Sequence, residues 1–352
     1  MIAPSIDPVV FDREMSLLRR SWIPAAHVSD LAKPGDFVSL VFAGRRIVVT
    51  RTTEFTVAAF MNVCPHRGTV MLDEGAGHLP TLEIVCPYHG LRADLRGRID
   101  ASDVATFKLP PGACLTSLPT AERHGFVFVK ATPGESNFDA ETGPAPPWFD
   151  RTPLAQLRRG RRTQTEVAAN WKLCVENFQE SHHFSRVHPS LERVTPAARS
   201  TSMAFGGLYL GGTMQIANGS DTVSEDGRLI GAPMLAAPED RRTVFDALLF
   251  PVWMTSLQPD YFLSYVLYPI SVARTGIVAD IYFHQSMKPG VDPARIYSFW
   301  DRTNREDQAV IGKQQLGLMS VDAFEGTLAD SEDGIVSFRA LLSRALEPWL
   351  PT

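Results

Sequence analysis

The sequence predicts an α+β fold in two parts, a small all-β domain followed by a larger region that mixes helices with strands. Three observations carry this expectation. The chain has 352 residues, enough for about two domains at roughly 150 residues each. From about Lys33 to Lys130 short β-type runs are separated by Gly and Pro, which is strand patterning at close spacing. Beyond residue 153, strand-like runs are interleaved with segments of helical periodicity.

The elements follow in order. Phe11, Met15, Leu18 and Trp22 recur at helical spacing, so residues 11–31 read as a helix followed by a turn. The runs 37–42, 46–50 and 125–129 read as strands. Residues 131–153, rich in Pro, Gly and acidic groups, read as an exposed connection. A helix is expected over about 169–184 and strands through much of 205–285. A long helix follows over about 293–319, and a final one over roughly 331–347. No repeat or low-complexity tract interrupts the pattern.

Composition excludes several classes. Hydrophobic residues make up 44% and charged residues 21%, as in an ordinary globular core. A net charge of −5 lacks the basic footprint of a nucleic-acid binder. The knot Arg158-Arg159-Gly160-Arg161-Arg162 reads as a solvated turn, with a docking patch for an acidic electron donor as its rarer reading. No N-terminal stretch has the pattern of a signal peptide. No apolar stretch reaches the about 18 residues of a membrane span; the longest, 247–270, is broken by Pro251, Gln258, Pro259 and Asp260. A soluble, cytoplasmic protein is expected. In a reducing compartment the four cysteines point to metal rather than disulfides, with Cys114 and Cys174 read as ordinary buried residues.

The other two cysteines lie in a doubled motif. Cys64-Pro65-His66-Arg67-Gly68 and Cys86-Pro87-Tyr88-His89-Gly90 each supply one thiolate and one imidazole. A Cys₂His₂ set can hold tetrahedral zinc or a Rieske [2Fe–2S] centre, in which two His replace two Cys on one iron. The arrangement favours the cluster, because two facing loops that each give one S and one N can share it. The prolines fix the loops, and Gly68 and Gly90 let the backbone turn away beneath the metal.

A second constellation lies in residues 170–189. On a helix, Glu176, Glu180 and His183 share one face. His188 follows, and Pro189 marks the helix breaking down. Two His plus a carboxylate form the facial triad of non-haem Fe(II) oxygenases, with open positions for O₂. The third ligand must come from elsewhere. Asp307 is the best candidate, because it shares a mostly apolar helix face with Ile311, Gln314 and Leu318. Glu306, beside Lys313, reads as solvent-facing, and His182 competes with His183 for the ligand position.

Together, CPHRG…CPYHG and NWK…ENFQE…HH…VHP closely resemble the α (oxygenase) subunits of Rieske non-haem iron oxygenases. FWDRTNREDQAVIGKQQLG and FEGTLADSED also resemble relatives acting on aromatic acids or quaternary amines. The resemblance implies a small all-β Rieske domain inserted in a helix-grip, START-like catalytic domain with an antiparallel sheet and helices. On that layout, 1–35 would be a helical lead-in of the catalytic domain, 36–135 the Rieske domain, 136–153 a linker and 154–352 the catalytic iron domain. Carried across, Cys64, His66, Cys86 and His89 would bind the cluster, and His183, His188 and Asp307 the mononuclear Fe(II). Glu180 would stand where the family usually has a bridging Asp, connecting His89 of one subunit to His183 of the next in a homotrimeric ring. Three departures stand out. Leu91 replaces a frequent aromatic, His182 a frequent Tyr, and the segment between the cluster loops, with 74–78, is slightly long.

The chain has no Gly-rich dinucleotide fingerprint. NAD(P)H is therefore expected to act through a separate reductase, or a ferredoxin plus reductase. The expected activity is O₂-dependent hydroxylation or demethylation of a small organic substrate, with monooxygenation of a methylated amine or aromatic compound favoured over arene cis-dihydroxylation. Phe205, Tyr209, Phe250, Trp253 and Phe283 can line an apolar pocket or an aromatic cage, or simply pack the β core. A Rieske electron carrier and a zinc-stabilised binding module are the rivals from other classes, and both leave Glu180, His183 and His188 without a role.

Overall fold

Ala43 and Gly44 both adopt positive φ, the turn chemistry that lets two strands fold back with the right twist. The computed structural model accordingly pairs Asp36–Phe42 with Arg45–Arg51 as an antiparallel hairpin. It describes residues 7–284, 287, 290, 292–321, 324 and 326–347; Glu325 of the FEGTLADSED segment lies outside them. The chain forms two compact units, Leu18–Ala140 and Met1–Leu17 with Glu141–Thr352.

The first unit is β-rich, as its texture predicts. A five-stranded sheet runs in the order Gly75–His78, Asp36–Phe42, Arg45–Arg51, Val57–Met61, Ser117–Leu118. The remaining strands form a three-stranded sheet and the pair Glu83–Val85 and Arg92–Asp94. The N-terminal helix stops at Arg20, and Ile23–His27 is a strand rather than helix or turn, because it pairs with the distant Phe126–Val129. A core of Val48, Phe60, Met71, Ile84, Leu91 and Leu115 packs beneath Cys64 and Cys86. Leu91, noted above as a departure, thus packs in the core under the loop. Cys114, expected to be buried, is exposed.

Buried Asn62 fixes the way back from the first cysteine loop. Its Oδ1 accepts from the N–H groups of Met71 and Leu72, and its Nδ2 donates to Leu72 O and Ser39 Oγ. Asn62→Ala strands these groups and should cost about 1–3 kcal/mol. Denaturant melts followed by cluster absorbance should show a lowered midpoint; an unchanged one would mean that the loop is held by other contacts.

The second unit is built on a seven-stranded antiparallel sheet. Its order is Arg158–Val167, Arg274–Phe283, Tyr261–Ser271, Trp253–Leu257, Thr243–Leu249, Tyr209–Gln215, Ser200–Ala204. The basic knot is therefore the start of a strand and not a turn, with a register shift between Arg159 and Arg161 where Phe283 lies against Gly160. Three of its four arginines are ion-paired: Arg159 and Arg162 with Asp280, and Arg161 with Asp301. The stretch expected as an exposed connection instead forms helices Phe138–Thr142 and Pro147–Arg151, with Trp148 and Phe149 buried.

Helices Trp171–Phe178, Ala294–Leu318 and Asp333–Leu346 complete the unit. Asn170 caps the first, its Oδ1 accepting from Lys172 N. The backbone N–H of Asn170 donates to Gln315 on the long helix. Trp171 Nε1 and Lys172 Nζ both reach buried Glu14. Glu176 accepts two bonds from Arg339 of the last helix. The NWK residues and Glu176 therefore serve to lock one helix between its neighbours. No helix among the described residues is long and apolar enough to cross a membrane.

Candidate metal centres and the cavity

The two cysteine loops are near-copies in backbone geometry. Cys64 N donates to Thr69 O and Gly68 N to Cys64 O; Cys86 N donates to Leu91 O and Gly90 N to Cys86 O. Gly68 and Gly90 turn at φ 79° and 76°, left-handed values that glycine adopts without a side-chain penalty. A Cβ at either would have open space, so backbone conformation, and not crowding, calls for glycine there.

The loops bring the four predicted residues together. Cys64 and Cys86 interact with one another, and the His66 and His89 rings lie 4.9 Å apart. Both cysteines are buried, while His66 is half-buried and His89 exposed. His66 Nδ1 is buried with no hydrogen-bond partner. Burial raises both thiols, but the N–H of Tyr88, the Cys64 side chain and the N–H of His89 together outweigh it at Cys86 and hold that thiol below its ordinary value; Cys64 stays raised. Amides aimed at sulfur, together with an orphaned imidazole nitrogen, fit a bound Rieske cluster.

The second centre departs from its expected geometry first in the helix that leads into it. The helix ends at Phe178, not near 184, so Glu176, Glu180 and His183 do not share a helical face. Glu176 is held by Arg339 instead. Gln179 O lies so close to Gly334 that a Cβ on that glycine would meet it at 2.3 Å, which places a turn where the helix would have continued. Glu180 then stabilises the next turn. Its carboxylate accepts the backbone N–H of His183 at 3.2 Å and contacts the ring Nδ1 at 2.6 Å. His188 follows helix Phe184–Val187, and Pro189 opens the next short helix.

One donor atom each from His183, His188 and Asp307 lies within 4.8 Å of the others. Asp307 Oδ1 is 2.8 Å from His188 Nε2 and 3.5 Å from His183 Nε2. Asp307 does point inward, although its buried companions are Ile311, Gln315 and Leu318; Gln314 is exposed. His182 is exposed and contacts Ser331, outside the triad.

Glu306 is not solvent-facing as expected. Its Oε2 lies 2.7 Å from His188 Nδ1. Both imidazoles therefore have Nδ1 tied to a carboxylate, Glu180 for one and Glu306 for the other, and Nε2 turned toward Asp307. This arrangement fixes the tautomer that offers Nε2 to a cation. Burial opposes charge on His183, yet Asp307 and Glu180 outweigh it and raise the imidazole to about 9. Burial would raise Asp307, but the two imidazoles hold it below its ordinary value. A cluster that attracts a proton this strongly is arranged for positive charge and fits a divalent iron. Adjacent residues supply two of these carboxylates, and only the inward one was legible from the apolar face. Glu306→Gln should weaken iron binding about 10–100-fold, read by iron titration with the cluster intact; wild-type affinity would mean that Glu306 leaves His188 unaffected.

The triad opens into a cavity of about 1150 Å³ whose walls include Phe178, Phe184, Met254, Tyr265 and Trp300. The aromatics singled out from sequence are elsewhere. Tyr209, Phe250, Trp253 and Phe283 are buried in the core, and Phe205 packs on Trp148. Cys174 lies by the triad with its thiol raised by burial to about 12, an inert buried cysteine as expected.

Residues 21–109 match the Rieske [2Fe-2S] domain, and residues 154–347 the ring hydroxylating alpha subunit (catalytic domain). The chain is 28% identical to the carnitine monooxygenase oxygenase subunit of Escherichia coli (strain K12), over 97% of this chain and 92% of that protein. It is 32% identical to the subunit of the same name from Acinetobacter pittii (strain PHEA-2), over 51% of this chain and 50% of that relative, so this match spans about half of the relative's length. Its fold is similar to the crystal structure of the quaternary ammonium Rieske monooxygenase CntA with an inhibitor, at TM-score 0.80 and 22% identity, covering 96% and 92% of the two chains. With one domain of each kind matched along it, the chain belongs to the ring-hydroxylating α-subunit family of Rieske non-haem iron oxygenases.

Proposed function

We propose that this chain is the terminal oxygenase of a multicomponent system that hydroxylates or demethylates a methylated ammonium compound. It would use O₂ and electrons from NAD(P)H, delivered by a separate reductase or by a ferredoxin and a reductase. The observation that carries the reading is the convergence of His183, His188 and Asp307 on one point at the wall of a large, partly aromatic cavity. The ammonium class is supported by the likeness to carnitine monooxygenase along 97% of the chain.

In this reading Cys64, His66, Cys86 and His89 hold the cluster, and His183, His188 and Asp307 hold the iron. When bound, the cluster supplies electrons one at a time and the iron activates O₂. Glu180 and Glu306 fix the two imidazole rings by accepting their Nδ1 protons. The apolar wall positions the substrate and keeps water away from the reacting carbon. Glu180 has a second task, because subunits would assemble as a ring of three in which its carboxylate also accepts from His89 of the partner subunit. The assembly would work in the cytoplasm.

With NADH and a surrogate reductase, the purified protein should consume O₂ and yield a hydroxylated or demethylated product from trimethylammonium compounds. Formation of cis-diols from arenes, without turnover of any ammonium compound, would overturn the substrate class.

A further inference from the structure

Strand Thr243–Leu249 reads Thr-Val-Phe-Asp-Ala-Leu-Leu, an apolar strand with one acid at its centre. Asp246 faces the cavity that holds the triad. Its cross-strand neighbours are Gly212 on one side and Ser256 on the other. One offers no side chain and the other only a hydroxyl, so neither strand neighbour brings a cation to the carboxylate. Gly212 cannot readily be larger, since a Cβ there would meet Thr201 O at 2.2 Å.

Among the described residues, no cationic side chain is paired with Asp246. Its Oδ1 is buried without a hydrogen-bond partner, and Ser256 gives the carboxyl its one favourable interaction. The two arginines lining the cavity are directed elsewhere: Arg161 binds the Asp301 carboxylate, and Arg305 donates to the Asp301 carbonyl. Three other carboxylates of the cavity have partners. Asp307 faces both imidazoles, Glu180 holds His183, and Glu192 accepts from Ala197 N. Burial pushes the Asp246 carboxyl up to about 7 against the Ser256 bond, the response of an acid that lacks a cation beside it. A buried carboxylate left this way is costly in the free protein, and a cationic ligand removes the cost.

We propose that Asp246 is the counter-charge for the substrate's positive nitrogen, and that this carboxylate gives the cavity its selectivity for ammonium compounds over neutral ones of the same shape. The proposal rests on the ammonium reading above and deepens it. Asp246, Tyr265 and the triad line the same cavity, so a cation paired with Asp246 sits in the compartment that the triad faces. Neutral isosteres would leave the carboxylate unpaired, and a site with an unpaired buried group rejects them.

The test is calorimetric binding of choline and of its neutral carbon isostere, 3,3-dimethyl-1-butanol, to the iron- and cluster-loaded enzyme. Wild type should prefer choline by about tenfold or more, Asp246→Asn should bind both about equally, and Asp246→Glu should keep the preference. Cluster absorbance and iron content report folding, and the Glu variant stands in should the Asn variant fail to fold. If Asp246→Asn keeps the full preference for choline, Asp246 is not the anchor and the ammonium reading survives. If the Glu variant, with its charge retained, is the one that loses the preference, the counter-charge role fails in the same way. If wild type itself shows no preference, both readings fall.

Discussion

Replacing Asp307 with Ala should empty the mononuclear site while leaving the cluster in place. The protein should stay red-brown, hold about two irons and two sulfides per chain and show no substrate-dependent O₂ consumption. The size of the effect follows from the geometry. Asp307 Oδ1 is the atom on which both Nε2 atoms converge, at 2.8 and 3.5 Å, so its loss removes the sole anionic donor of the triad and leaves two neutral imidazoles. The fold should survive, because Ile311, Gln315 and Leu318 carry the packing of that helix face. Retention of about three irons with turnover intact would exclude Asp307 as a ligand. Glu306, its neighbour, would then be the first replacement to consider, although its carboxylate is engaged with His188 Nδ1.

Glu180→Gln should have nearly as large an effect by a different route. Gln keeps the size and can still meet a ring nitrogen, but it removes the charge that holds His183 in one tautomer. With iron supplied in excess both metals should remain bound, and cluster absorbance should be as in wild type. Turnover should fall by about 100-fold. Single-turnover mixing should place the loss in electron delivery, with the cluster staying reduced in the presence of O₂ and substrate. A variant with unchanged rate would remove Glu180 from the electron path and reduce it to the turn-forming role seen in its bond to His183 N.

The parts of this account that were legible in sequence are those whose determinants are local. Each cysteine loop carries its own ligands, proline and turn glycine within five residues, so nothing distant had to be known. The long helix Ala294–Leu318 and its inward Asp307 followed from helical periodicity. What was illegible depended on partners far along the chain. Ile23–His27 is a strand because Phe126–Val129 lies beside it, and the arginine knot is a strand because it pairs with Tyr282 and Phe283. The helix break after Phe178 coincides with the close approach of Gly334, which no pattern in residues 169–184 encodes. Aromatic residues could not be sorted between core and cavity, since alternation gives a strand two faces without saying which one is lined by a cavity. Asp246 did carry a signal, a lone acid in an apolar strand, of the kind that seldom enters a core without a reason.

The central claim is that one chain holds a cluster and a separate iron. Metal and acid-labile sulfide content of anaerobically purified protein, with an absorption spectrum, tests it most directly. The account predicts about three irons and two sulfides per chain and a red-brown colour. About two irons and two sulfides that persist after reconstitution with iron would leave only the cluster and an electron carrier. Zinc without sulfide would contradict both centres.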